Sequence, residues 1–483
     1  MTAGTGGRST EAEAPGRWSR EAKGWLVGLL ILALVLRVLQ LILLPNIHHP
    51  DEIFQVLEQA NRLATGSGLV PWEFRDGIRS WILPGVLALP VGLGVATSSD
   101  PAVPALLAGI VLAFLSLTIV AAAFTAGLRL GLAHAVVAGF VAATWFELVL
   151  HGGRTLTEMV ATAPLLAALA LAGRPVLARR DLVAIGLLLG TVVGLRFHLG
   201  PAVAVTGLWL LWRHGRRVLV PLAVAGVVPL LVVGAVDWLT WGLPFTSILR
   251  NLQVNVIDGR SADFGVHPPW AYGGMVLAQW WLALPVIGLL ALAGARRLPL
   301  WLLVAVTIVA THSLIGHKEW RFIYPAVAIG VILAAIGSVE VVAWLGRRRP
   351  ASQLVMPLGL AVVGLGWTVV SIGLAARPGM LPQWSTGAAT LAALHRLHEA
   401  PGLCGVGLEG LAWWETGGLV HLQRDVPLLD TTDARFSGEA VNAIIARAPA
   451  TAPTDGRWTQ VAEVSDARQQ LAVWVREGTC API

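Results

Sequence analysis

Residues 105–126 read ALLAGIVLAFLSLTIVAAAFTA, an apolar run without a charge or a proline. It meets the roughly 20 residues that a helix needs to cross the hydrocarbon core of a bilayer. The alternation of polar and apolar positions that marks a barrel strand is missing, so its backbone amides find partners only within a helix. Similar runs at 24–44, 218–236, 301–315, 322–344 and 357–374 carry this reading along the chain. Composition agrees: 56% of the 483 residues are hydrophobic, 13% are charged, and the mean hydropathy is +0.72, where a soluble domain would be about 25% charged. The expected fold class is an all-α polytopic membrane protein with about 11–12 transmembrane segments.

The net charge of +6 does not indicate a nucleic-acid partner, because the arginines stand in short clusters between apolar runs. Read as positive-inside markers, Arg17/Arg20/Lys23, Arg174/Arg179/Arg180, Arg213/Arg216/Arg217, Arg296/Arg297 and Arg347/Arg348/Arg349 belong on the cytoplasmic face. The loops at 45–80, 151–157, 238–273 and 311–321, and everything after 377, then face outward. Three apolar segments, 81–98, 105–127 and 131–150, lie between two of these outer loops, yet an even number must cross. Pro84 and Pro90 make 81–98 the one expected to be short or re-entrant. Residues 1–23 read as a disordered cytoplasmic tail rather than a cleavable signal, and 24–376 as the transmembrane domain.

Polar residues return in 377–483, which reads as a small soluble α/β domain outside the membrane. Residues 404–408, 411–419 and 426–429 suggest strand, helix, strand, and 471–475 another strand. Cys404 and Cys480 both fall here, where disulfides persist. A bridge and two free thiols are both open, since the Cα separation decides.

Four groups of polar residues carry the chemistry. The first is His48-His49-Pro50-Asp51-Glu52-Ile53-Phe54-Gln55, with Pro50 suited to a first helical turn and the acidic pair to its positive end. Asp51, Gln55, Glu58 and Arg62 share one face of an α-helix, which points to an amphipathic helix on the membrane surface with its carboxylates turned to a cavity. The segment 71–80 adds Trp72, Glu73, Phe74, Arg75, Asp76 and Arg79. The second group is His317-Lys318-Glu319-Trp320-Arg321-Phe322. The chain has two lysines, Lys23 and Lys318, so 32 of its 34 basic residues are arginine, and an ammonium beside a guanidinium and an imidazole suits a phosphate. Interfacial snorkelling with a Trp belt is the simpler reading of the same residues. The third and fourth are His151 to Thr155 with Glu158, and Arg196 with His198, ionisable groups at membrane depth. Asp237 opens a Trp-, Asn- and Gly-rich segment whose aromatic faces and amides suit a sugar.

His49-Pro50-Asp51-Glu52, Trp72-Glu73-Phe74 with Ile78-Arg79-Ser80, Arg154-Thr155, and His317-Lys318-Glu319 with Arg321-Phe322 together resemble the dolichol-phosphate-mannose-dependent α-mannosyltransferases of the glycosylphosphatidylinositol-anchor and N-glycan pathways. These form glycosyltransferase family 22, of the GT-C fold. The resemblance covers residues 24–345 in order. Pro71 stands where that family often has Thr, and Trp320 where a second acidic residue is usual.

The resemblance implies transfer of a sugar, mannose first, from a polyprenyl-phosphate donor to a lipid-linked or glycan acceptor, with inversion. Asp51 is then the expected general base, and Glu52 orients the acceptor or shares the proton. His317, Lys318, Arg321, Arg154 and Arg79 are the expected partners of the donor phosphate. His49, Gln55, Trp72, Glu73, Glu158, Arg196 and Asp237 are expected to line the sugar and acceptor pocket. No cofactor is required, and a divalent ion on Asp51 and Glu52 stays compatible with the residues. An Arg-, Ala- and Gly-rich, Lys-poor chain without an N-glycosylation sequon looks bacterial, which places the protein in the inner membrane with its active site outside. The rival classes are a flippase of lipid-linked sugars, which would set its charges near the midplane, and a scaffold, which leaves the loop carboxylates without a role.

Overall fold

The computed structural model describes residues 18–348, 355–449 and 457–481. The tail at 1–17, with Arg17, and Arg349 lie outside the described residues. Six described helices are long and apolar enough to cross a membrane: Arg20–Leu43, Val103–Leu128, Arg216–Trp241, Ala271–Ala295, Trp320–Arg348 and Met356–Ala375. Four shorter apolar helices, Ile82–Thr97, Leu132–Thr144, Thr157–Ala172 and Pro299–Ser313, stand among them. The protein is thus a multi-span helical membrane protein, as its sequence indicates. The segment expected to be short is a helix of 16 residues, Ile82–Thr97, with Pro90 inside it.

Trp320–Arg348 is the axis of the bundle. Its most apolar window is 78% buried, against at most 44% in the other five long helices. Small residues make this possible: a Cβ on Gly337 would fall on the Leu290 carbonyl, and one on Gly294 on the Leu333 carbonyl, so the backbones of these two helices touch.

Charges sort to the two ends of this axis. Beyond its middle, Glu340 takes both Arg297 Nε and Arg297 Nη2 at 3.0 Å, and His134 Nε2 lies 3.0 Å from the same carboxylate. At its start, roughly 27–30 Å away at 1.5 Å per residue, lies the cluster 317–322. The two sets that the sequence assigned to opposite faces are therefore separated along one helix.

After Met356–Ala375 the chain leaves the bundle and builds a five-stranded mixed sheet. Its strands are β1 (Val406–Glu409), β2 (Leu428–Asp430), β3 (Ala443–Arg447), β4 (Thr459–Ser465) and β5 (Gln470–Val475), in the order β2-β1-β3-β5-β4. β1 runs parallel to β2 and β3, pairing Val406 with Leu428 and with Ala443, and β5 runs antiparallel to β3 and β4. Helix Ala388–His398 covers one face through Ala389, Ala393, Leu394 and Leu397. Cys404 and Cys480 are bridged, their Cα atoms 5.8 Å apart. The helix expected at 411–419 does not form. In its place stand a 3₁₀ turn, Trp413–Glu415, and a four-residue helix, Leu419–Leu422, split by Gly417-Gly418, because glycine pairs are poor helix formers. The strands β3 and β4 and the helix Ala388–His398 went unread in the sequence.

Candidate active site

Pro50 occupies the first helical position after His49, whose Nδ1 accepts a hydrogen bond from the Asp51 amide at 3.1 Å. The helix then widens into a π turn over Ile53–Leu57 before continuing as Glu58–Thr65. A π turn inserts a residue, which rotates everything beyond it by about 100°. Asp51 and Gln55 therefore face one way, whereas Glu58 and Arg62, expected on the same face, turn elsewhere. The helix is also buried on most sides rather than lying on a surface: Glu52, Ile53, Phe54, Val56, Leu57, Glu58, Gln59 and Ala60 are all inaccessible.

Asp51 and Gln55 open onto a cavity of about 840 Å³. Its wall collects His49, Asp51, Gln55, Trp72, Glu73, Arg79, Arg196, His317, Lys318 and Arg321, ten residues singled out from four separate stretches of sequence. Arg321 is the hub. Its Nη2 lies 2.7 Å from Asp51 Oδ2, its Nε 2.5 Å from Glu319 Oε2 and 3.9 Å from Glu158 Oε1. Glu158 in turn holds Arg196 Nη2 at 2.8 Å. His49 Nε2 reaches Glu319 Oε2 at 3.3 Å, and His317 Nε2 reaches Glu319 Oε1 at 2.8 Å. Gln55 donates to Glu73 at 2.8 Å.

This network sets the ionisation of the loop groups. Burial pushes the Asp51 carboxyl up, but the Arg321 guanidinium and the His49 ring outweigh it and hold Asp51 well below the usual carboxylate range. Glu319 is likewise raised by burial and then pulled to about 2 by its bond to His317 and the charges of Arg321 and His49. Glu73 is pushed up by burial, which outweighs the nearby charge of Arg79.

The cations are not equivalent. Arg321 is occupied by carboxylates, so the expectation that it serves a phosphate gives way to one in which it orders Asp51 and Glu319. Lys318 donates to the carbonyls of His267 and Ile315, and no carboxylate lies within ion-pair distance of it among the described residues. The side chain of Arg79 has no hydrogen bond or ion pair among the described residues, and its Nε is buried without a partner. Arg79 and Lys318 therefore offer the uncompensated positive charge of the cavity.

Four candidates lie off the cavity wall. Glu52 turns away from Asp51 to accept the His48 amide at 2.5 Å and Arg154 Nη1 at 3.3 Å, so the two carboxylates do not form a paired site for a divalent ion. Arg154 also donates to the Asn46 carbonyl and side chain, bracing the loop rather than facing the cavity. Glu158 sits just behind the wall as the partner of Arg196 and Arg321. Asp237 accepts the Ser247 amide and hydroxyl at 2.9 and 2.6 Å, a cap on the helix Thr246–Leu252. Conversely, the cavity includes Arg260, Phe264, His267, Trp413 and Trp414, none of which the motifs named. Arg260 covers the Trp72 ring at 3.7 Å. Only its place in the Trp-rich segment 238–273 could have drawn attention to it.

The chain belongs to the Alg9-like mannosyltransferase family, whose profile matches residues 29–401. GPI mannosyltransferase 3 of Yarrowia lipolytica is 30% identical over 63% of this chain and 61% of its own length. GPI mannosyltransferase 4 of Eremothecium gossypii is 28% identical over 81% and 74%, and GPI alpha-1,2-mannosyltransferase 3 of Danio rerio 25% identical over 68% and 62%. The chain thus spans about three fifths of the first and third of these relatives. Among solved structures, ArnT from Cupriavidus metallidurans in the apo state superposes with a TM-score of 0.60 at 15% identity, covering 94% of this chain and 98% of that one. The undecaprenyl phosphate-bound form of ArnT gives a TM-score of 0.58 at 14% identity, over 96% and 100%. The architecture is accordingly that of an ArnT-like GT-C protein.

Proposed function

We propose that this protein transfers mannose from a polyprenyl-phosphate mannose donor to a hydroxyl of a lipid-linked or glycan acceptor, with inversion, on the outer face of a bacterial plasma membrane. The observation that carries the reading is that the carboxylate of Asp51 and the uncompensated cations of Arg79 and Lys318 line one cavity with aromatic and amide side chains. The GPI mannosyltransferases among the relatives support the sugar, and the undecaprenyl phosphate held by ArnT supports a lipid phosphate as leaving group.

In this reading the acceptor oxygen attacks the anomeric carbon while the bond from that carbon to the phosphate oxygen breaks. Asp51 receives the acceptor proton, and its low pKa keeps it ionised and ready at neutral pH. Positive charge gathers on the sugar ring in the transition state, so the attacking hydroxyl acidifies as its bond forms and a weakly basic carboxylate suffices. Arg79 and Lys318 stabilise the departing phosphate, which is ionised at neutral pH and needs no acid. Gathering these charges at one end of the bundle, away from its middle, favours a transferase over a flippase.

The test is transfer from labelled mannosyl-phosphoryl-undecaprenol in membranes carrying the protein. Wild type is expected to form a mannosylated acceptor, and Asp51→Asn to form it roughly 10²–10⁴-fold more slowly at equal abundance. Movement of the donor across reconstituted vesicles without sugar transfer would replace this reading with the flippase.

A further inference from the structure

Three tryptophans line the cavity, and their surroundings differ. Trp72 carries the Arg260 guanidinium over its ring and has Phe264 stacked nearby, 6.1 Å between centroids at 14°. Trp413 is anchored edge-on to Phe54 at 4.9 Å and to Trp414 at 5.7 Å. Trp414 keeps 49% of its surface exposed while forming part of the wall.

The turn that carries that exposed indole is braced. The Ala412 amide donates to Glu415 Oε2 at 2.8 Å, Glu415 Oε1 pairs with Arg447 at 2.9 Å, and the Trp413 amide donates to Asp430 at 3.3 Å. A second set of bonds ties the short helix that follows this turn, Leu419–Leu422, to the helix that bears Asp51. Glu58, fully buried two turns beyond Asp51, accepts the amides of Leu69, Leu419 and Val420 at 2.8, 3.0 and 2.9 Å. Gly418 is pressed so close that a Cβ there would stand 2.6 Å from Glu58 Oε2. A large aromatic left bare in a cavity wall, on a turn braced before and after it, is a surface prepared for a ligand rather than for packing.

We infer that Trp414 is the platform on which a pyranose ring of the acceptor glycan stacks, and that Glu58 is the residue that positions it. This rests on the transferase reading for the word acceptor, but not for the sugar. The flat apolar face of an indole matches the C–H face of a pyranose, while Gln55, Asn251 and Asn255 on the same wall supply amides for hydroxyls. The donor is tied to its phosphate and so to Arg79 and Lys318. Trp414 enters instead from the sheet domain, apart from both of these cations in the chain.

The test uses the full chain in nanodiscs, with α-(1→2)-mannobiose as acceptor probe and mannosyl-phosphoryl-undecaprenol as donor. Saturation-transfer NMR reads mannobiose binding directly, and transfer assays read both Michaelis constants. Trp414→Ala is expected to raise the mannobiose Kd and the acceptor KM about tenfold with the donor KM unchanged, and Trp414→Phe to restore most of the binding. Glu58→Gln is expected to move the same two constants, and the double variant to go no further than Trp414→Ala alone; Glu58→Asp serves if the amide variant does not accumulate. Additive losses would overturn the positioning role. Mannobiose binding that Trp414→Ala abolishes supports the platform even where wild type transfers nothing, a result that would sink the transferase reading alone. Unchanged binding by Trp414→Ala, or a wild type that binds no mannobiose, overturns the platform.

Discussion

Arg321 Nη2 lies 2.7 Å from Asp51 Oδ2, which joins the first turn after Pro50 to the cluster that opens the axial helix. The same guanidinium reaches Glu319 and Glu158, so one planar fork serves three carboxylates. A lysine ammonium keeps the charge but cannot span such an arrangement. Arg321→Lys is therefore expected to lower thermal stability in detergent, since leaving a buried carboxylate unpaired costs about 3–5 kcal/mol, and to abolish transfer with it. Asp51→Asn should separate the two effects, losing roughly 10²–10⁴-fold in kcat at a smaller cost in stability. Wild-type transfer by Arg321→Lys would show that the fork is dispensable.

Arg79 and Lys318 are both expected to act on the donor, and Lys318 also on the fold. Neither forms an ion pair with a carboxylate among the described residues; truncating Arg79 strands no hydrogen-bond partner, whereas truncating Lys318 releases the His267 and Ile315 carbonyls. Arg79→Ala and Lys318→Ala should each raise the donor KM by about tenfold or more, in line with a charge-assisted hydrogen bond of about 1.5–3 kcal/mol, while the melting temperature of Arg79→Ala stays close to that of wild type and that of Lys318→Ala falls with the two carbonyl bonds it loses. Steady-state kinetics over a donor series reads this, and an unchanged donor KM in both variants would remove the phosphate from this part of the cavity.

The helical bundle was legible because bilayer length and apolarity are written residue by residue in runs such as 105–126. The site was legible to the extent that charges interrupt those runs: Asp51, Arg79, Arg196 and Lys318 announce themselves against an apolar background. What sequence could not show is which way each group turns. Asp51 and Glu52 are neighbours, and only the extended approach through His49 sends one into the cavity and the other to Arg154. The π turn at Ile53–Leu57 leaves no mark in composition, yet it diverts Glu58 from the cavity to the sheet domain. Trp413 and Trp414 were hidden for a different reason: they come from a domain whose packing on the first loop depends on contacts between distant segments.

The pH dependence should follow His317. Its Nδ1 faces the Gly265 carbonyl at 3.1 Å and its Nε2 the Glu319 carboxylate at 2.8 Å, so both ring nitrogens meet acceptors and the imidazolium, with two N–H groups, satisfies both. The bond to Glu319 raises the His317 pKa above its ordinary value, against the opposing effect of burial. A raised pKa in the folded state gives stability that is complete below about 6.5, the free imidazole value, and is lost as pH rises through the folded pKa. Melting temperature in detergent is expected to fall over that alkaline window in wild type, and His317→Gln to reduce the fall, the part that remains belonging to Glu58. Asp51 and Glu319, both held low, should add no transition near neutrality, whereas Glu58, pushed up to about 7 by burial, adds a fall of the same sign that His317→Gln leaves in place. A wild-type profile that is level through this window would contradict a charged His317.

Gly418 gives the sharpest test of how the sheet domain meets the first loop. Its φ of 68° and ψ of −172° lie in a region that glycine alone occupies without strain, and an added Cβ would meet both Glu58 Oε2 at 2.6 Å and Phe54 Cε1 at 3.2 Å. The backbone strain costs about 1–3 kcal/mol, and the clash falls on a buried carboxylate held by three amides, which has no room to retreat. Gly418→Ala is thus expected to lower the melting temperature and to speed hydrogen exchange at the Leu419 and Val420 amides that bond Glu58. Gly438→Ala, in the same domain with open space around its Cα and no positive φ, is the control and should change neither. If Gly418→Ala exchanged these amides as slowly as wild type, the Glu58 contact would not be what joins the domain to the helix of Asp51.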